Sequence, residues 1–167
     1  MHVELYAATK EDVIHCIEYL CERFESQRGA GEKADTALIE LCYAVAQAKG
    51  AFPHALTVNQ ELVMANAALI LLRLEEASKY FFAMIVNPNA TPFQQAYGTF
   101  AIAQIARARV GRGEMSWEDA QEDIACAEST LERFCDKFAD GSPEWEMLKA
   151  LYERQVLVRT GAGVVAH

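Results

Sequence analysis

The sequence predicts an all-α fold of about seven antiparallel helices. Three observations carry that expectation. Apolar residues recur in steps of three and four, with no alternating stretch that would mark a strand. Capping signals stand just before these stretches, at Thr9 with Asp12, Thr57 with Gln60, Thr91 with Gln94 and Ser116 with Asp119. The Thr57 and Thr91 openings lie 34 residues apart, the period of one class of helix-pair repeat.

Residues 1–8 read as an extended arm or the start of the first helix. Thr9 then caps an amphipathic helix to about Ser26, with Val13, Ile14, Ile17, Leu20, Cys21 and Phe24 on one face. Gly29 and Gly31 mark a loop. A second helix runs from about Lys33 to Lys49, with Leu38, Leu41, Cys42 and Val45 inward, and Gly50 is expected to end it. The stretch from Thr57 carries no Gly or Pro before Pro88. It fits either one long helix or two helices with a tight turn near Leu72 to Glu75, and ordinary helix lengths favour the break. Its densest run, Ala67 to Leu72, leaves no polar face, so Leu69, Leu72 and Phe81 are expected to be buried.

Pro92 sits at the first helical position after Thr91, and that helix reaches about Val110. Its inward residues are Tyr97, Gly98, Phe100, Ala101, Ile102, Ile105, Ala106 and Ala108, and Gly98 beside Ala101 lets another helix approach closely. Gly111-Arg112-Gly113 breaks it. After Ser116 comes a seam of Trp117, Ala120, Ile124, Ala127, Leu131, Phe134 and Phe138. The short link from Ala139 to Ser142 favours packing of this seam on the last helix through Trp145, Leu148 and Tyr152, with a dimer as the alternative. Residues 1–160 form one helical domain in this reading, and 161–167 a flexible tail.

The formal charge of −9 is unevenly placed. From Glu114 to Glu153 there are twelve acids and three bases, so this third carries the whole excess. Burying the seam turns Glu118, Glu122, Asp123, Glu132 and Asp136 mostly outward. Such a field repels nucleic acid and membrane surfaces and favours a basic protein surface. Arg107, Arg109 and Arg112 form a basic cluster suited to an acidic partner or, preferably, to the chain's own acidic helix. No apolar run is long enough to span a bilayer, and the N-terminus has no basic region followed by an apolar core. The five cysteines form no CxxC pair and read as reduced thiols. A cytoplasmic protein is expected.

No zinc-ligand spacing, phosphate loop or GxSxG is present, so neither a metal, a cofactor nor a catalytic residue is assigned. A nucleophilic Cys42 with a distant His is the weakest of the chemical readings.

Residues 57–92 resemble a tetratricopeptide repeat, in which antiparallel helix pairs stack into a curved array. Tyr80, Ala83 and Pro88 match the large, small and Pro positions of the repeat's second helix. Met64 stands where Gly is usual and Glu76 where a small residue is usual, whereas Gly98 restores the Gly in the next unit. Ala120, Ile124 and Ala127 match the second helix of that unit after about ten inserted residues around Gly111–Gly113. Two degenerate units thus cover about 57–135. In size, acidity and helix pairs the chain is also similar to the intracellular chaperones of type III secretion.

The resemblance implies peptide binding on the helices that open at Thr57 and Thr91. Gln60, Asn66, Gln94, Gln95 and Gln104 are the polar candidates there, because each side-chain amide both donates and accepts. Glu118, Glu122 and Asp123 are the candidate contacts to a basic surface. The expected function is a non-enzymatic adaptor or chaperone that holds a segment of another protein, as a monomer or homodimer, without direct nucleic-acid or membrane contact. Two alternatives are a small acidic inhibitor that blocks a nucleic-acid-binding protein by charge mimicry, and a helical enzyme with an unrecognised site.

Overall fold

The computed structural model describes residues 9–51 and 56–137, and beyond these 141–143, 145–147, 149–150 and 153. The fold is all-α, and no strand occurs among the described residues. Six helices have defined bounds: α1 Lys10–Ser26, α2 Glu32–Ala51, α3 Val58–Ile70, α4 Leu74–Val86, α5 Pro92–Gly111 and α6 Trp117–Cys135. A further helical stretch starts after Ser142, whose Oγ accepts from the Trp145 N–H at 3.2 Å. This arrangement is compatible with a helical repeat.

The caps hold the helix starts where the sequence puts them. Thr9, Thr57 and Thr91 each accept from the backbone N–H three residues on, and Asp12, Gln60 and Gln94 accept in return from the cap N–H. Each box satisfies two of the four N–H groups that a helix start leaves without a partner. The break after Ile70 is a left-handed turn: Leu72 has φ 56°, its N–H donates to the Leu69 carbonyl, and the Arg73 N–H donates to the Ala68 carbonyl. That pair of bonds is the Schellman closure of a helix end. α5 closes the same way around Gly113, φ 72°, with the N–H groups of Gly113 and Glu114 donating to Val110 and Arg109.

The chain divides into two compact units, the boundary falling between Tyr80 and Phe81 inside α4. In the first, α1 packs on both α2 and α3. Ile17, Leu41, Val45, Met64 and Ala67 form the centre of its core, with Tyr80 partly buried against it. Polar ties bind its edges. Arg23 Nη1 lies 2.5 Å from Glu40, joining α1 to α2. Lys49 of α2 pairs with Glu76 of α4, and Arg73 Nη1 stands 3.8 Å from the same carboxylate. Arg73 also donates to Cys42 Sγ at 3.2 Å. Two cations around Glu76 account for an acid where the repeat pattern has a small residue.

In the second unit α5 and α6 are antiparallel. Ala96 and Phe100 near the start of α5 meet Leu131 and Phe134 near the end of α6. Ala103 and Ala106, further along α5, meet Ala120, Ile124 and Ala127. Against Gly98 lie Met84 and Ile85 of α4, so the close approach expected at this glycine is made by that helix.

Several expectations need correction. Leu72 is 70% exposed and Leu69 half-buried, because α3 stops at Ile70 and the apolar run leaves the core there; Phe81 is fully buried. Gly50 lies within α2, which continues to Ala51. Trp117 is 47% exposed, its ring covered by the Arg107 guanidinium at 5.9 Å, and Ala108 is exposed. The described seam residues pack on α5, a partner that the short link did not suggest; the expected packing of the seam on the last helix falls on Phe138, Leu148 and Tyr152, which lie outside the described residues.

Candidate binding groove

A groove of about 820 Å³ opens between α1 and α3 of the first unit. Its helices are fixed independently, by the capping boxes of Thr9 and Thr57 and by the shared core beneath. Ile14, Cys21, Val63, Leu69 and Ile70 supply apolar lining. Leu69 and Ile70 are half-buried, so the apolar run of α3 lines the groove where it leaves the core.

The two walls differ. The α3 wall carries Asn59, Gln60 and Asn66. The α1 wall carries Glu18, Glu22 and Glu25, one helical turn apart on one face, and Arg28 lies beyond its end. Arg28 Nη2 lies 3.0 Å from Glu25, and His15 Nδ1 lies 3.6 Å from Glu18. Burial pushes the Cys21 thiol up to about 11, and the Glu25, Glu18 and Glu22 carboxylates add to the shift in that order. The field of the α1 wall therefore reaches the groove lining.

The candidate residues fall in three places. Gln60 and Asn66 share the groove, and Gln60 Oε1 also accepts from the Thr57 N–H at 3.0 Å. Gln94, Gln95 and Gln104 are half-buried on α5 in the second unit. Gln94 Oε1 accepts from the Thr91 N–H at 2.9 Å, and the Gln95 carbonyl accepts from Thr99 Oγ1 at 2.8 Å. Glu118 and Glu122 are exposed on α6 and Asp123 is half-buried. Burial, then Glu122, raises the Asp123 carboxyl above its ordinary value, while Arg109 opposes that shift. Glu132 and Asp136 are exposed as well, so the outward acidic face follows from burying the seam.

The arginine cluster is turned toward its own chain. Arg109 Nε and Arg112 Nε lie 3.9 and 2.9 Å from Glu114, and Arg107 covers Trp117 while feeling Glu128.

Glu18, Glu22 and Glu25 were not among the candidates. Their spacing of four and three residues was legible as one acidic helix stripe. Its place opposite an amide-bearing wall was not, because that depends on how α1 packs on α3.

Among the described residues no group of three His, Cys, Asp or Glu side chains could hold a metal ion. No described helix is long and apolar enough to cross a membrane. Comparison with protein-family models, curated proteins and solved structures found no match.

Proposed function

We propose that the protein is a non-enzymatic adaptor or chaperone that holds a segment of another protein in the groove between α1 and α3. The observation that carries this reading is a groove with apolar lining and Gln60 and Asn66 on one wall. Apolar lining with a few placed polar groups is the usual make-up of a binding site. The tetratricopeptide-like features of 57–92 support the same reading, since α3 is the helix expected to face a peptide.

Site-specific photo-crosslinking tests it. A photoreactive residue at Asn66 is expected to capture a defined segment of a partner, and one at exposed Gln47 on α2 is not. Val63→Glu should suppress the capture without unfolding the protein, because Val63 is only half-buried. Equal capture from Asn66 and Gln47 would refute the groove as the contact site.

The exposed acids of α6 support charge mimicry as a second reading. Replacing Glu118, Glu122 and Asp123 by Gln or Asn should then weaken partner binding at low salt, and screening should weaken it further at moderate salt. Unchanged binding at both salts would leave that face a solubilising surface.

A further inference from the structure

We propose that the segment held in the α1/α3 groove is extended and basic, with Lys or Arg at alternate positions set against Glu18, Glu22 and Glu25. This deepens the groove reading and rests on it.

The first argument is charge. The three carboxylates lie on one face of α1 along the groove. Like charges at these spacings repel one another. Glu18 has the exposed His15 nearby and Glu25 has Arg28, whereas among the described residues no cation lies within ion-pair distance of Glu22. Among the described residues, Arg28 is the sole cation lining the groove beside three acids. A cationic occupant relieves the repulsion, and an acidic one increases it.

The second argument is backbone chemistry. Of the amide side chains on the opposite wall, Asn66 is half-buried and can donate and accept together, while Gln60 is buried with its Oε1 already accepting from the Thr57 N–H. A helical occupant has its N–H and C=O groups bonded internally along most of its length, so it would leave those amides little backbone to bind. An extended segment presents both groups freely.

The third argument is spacing. Four residues of helix rise about 6 Å and three about 4.5 Å, so Glu18, Glu22 and Glu25 form a ladder of those steps. Alternate residues of an extended chain lie roughly 6.6 Å apart and point to the same side. Basic residues at alternate positions therefore meet the ladder, and the residues between them are free to meet the apolar lining.

The test uses the full chain and three fluorescent octapeptides that alternate Leu with Arg, with citrulline or with Glu. Citrulline keeps the size of Arg and removes its charge. Fluorescence anisotropy should show the Arg peptide binding about tenfold more tightly than the citrulline peptide at low salt, with the advantage shrinking as salt rises. The Glu peptide should bind most weakly. Glu18→Gln/Glu22→Gln/Glu25→Gln should bring the Arg peptide down to the citrulline level, and circular dichroism checks that this exposed triple variant stays folded. Asn66→Ala should weaken both peptides alike.

If the citrulline peptide binds as well as the Arg peptide and Asn66→Ala weakens both, the groove reading stands and the basic preference is wrong. If no peptide binds, both fail. If the triple variant leaves Arg-peptide binding unchanged while Glu118→Gln/Glu122→Gln lowers it, the basic contact lies on α6 and the proposal is overturned.

Discussion

A Cβ built on Gly98 of α5 stands 2.9 Å from Ile85 Cγ1 of α4 and 2.8 Å from Met84 Cε. Two effects therefore compete at this position. Ala in place of Gly favours a helix interior by about 1 kcal/mol. Forcing a methyl into a packed contact costs about 1–3 kcal/mol. The Met84 methyl is the end of a flexible chain and can move, whereas Cγ1 of a β-branched Ile is held near the backbone. Gly98→Ala is thus expected to lower stability by about 1 kcal/mol in urea unfolding. In an Ile85→Ala background the same change should become neutral or stabilising. A stabilising Gly98→Ala in the parent protein would contradict this contact.

The ends of α3 and α5 make a second comparison. Both close by the Schellman pattern, one with Leu72 at φ 56° and the other with Gly113 at φ 72°. A left-handed residue with a side chain costs about 1–2 kcal/mol, while Gly costs roughly 0.5–1 kcal/mol more entropy on folding. Leu72 is mostly exposed, so its removal forfeits little packing. Leu72→Gly should therefore be neutral or stabilising by up to about 1 kcal/mol, and Gly113→Leu should be destabilising by a similar amount. The measurement is a pair of denaturant titrations. A clear loss on Leu72→Gly would mean that the Leu72 side chain holds the turn.

That contrast also marks what was legible in the sequence. Gly113 announced its turn; the break near Leu72 to Glu75 followed from ordinary helix lengths and is where α3 ends, but nothing in six consecutive apolar residues says which one takes a left-handed φ. Thr9, Thr57, Thr91 and Ser116 were legible because a cap bond is local, made within three residues. The seam periodicity of α6 was legible for the same reason, but its partner was not. Ala96, Ala103 and Ala106 give α5 a small-residue face on which Leu131, Ile124 and Ala127 sit, and only the packing shows this. At the candidate site, Gln60 and Asn66 were legible as polar groups on the α3 helix. The acids of α1 that face them were overshadowed by the larger acidic excess of residues 114–153, and only the packing of α1 on α3 sets them along a groove.

Phe81 and Leu69 separate core from groove. Phe81 is fully buried, with its ring edge-on to Tyr97 at a centroid distance of 6.1 Å. Phe81→Ala should cost about 3–5 kcal/mol. Leu69 is half-buried and lines the groove. Leu69→Ala should cost only about 1 kcal/mol, roughly half the transfer value of a fully buried Leu, while weakening capture of a groove-bound segment. Equal losses for the two variants would place Leu69 in the core.

Asp123 gives a pH dependence with a definite sign. Its carboxyl is raised above the ordinary value, first by burial and then by Glu122. A folded-state value above the unfolded one means that the folded protein binds the proton more tightly, so this group's contribution falls as pH rises through the folded value. The penalty is complete at neutral pH and absent below the ordinary carboxylate range. Asp123→Asn should raise Tm at pH 7, and the gain should fade as pH falls toward about 4. A gain that persists undiminished at pH 3 would assign the effect to something other than ionisation.

Cys21 reports on the groove directly. Its thiol stands at about 11 through burial and then through Glu25, Glu18 and Glu22. At pH 8 roughly one such thiol in a thousand is a thiolate, the form that reacts. Cys126 is exposed, so iodoacetamide followed by mass spectrometry should label it well before Cys21. Replacing the three glutamates by Gln should quicken Cys21 only modestly, because burial is the larger cause and remains. A basic peptide seated in the groove both covers the thiol and screens the carboxylates, so the two effects oppose each other. Coverage blocks the reagent altogether while bound, whereas screening changes only the thiolate fraction. Saturating peptide should therefore slow Cys21 labelling and leave Cys126 unchanged. Faster labelling of Cys21 with peptide bound would mean that the peptide sits on the acidic wall without entering the groove.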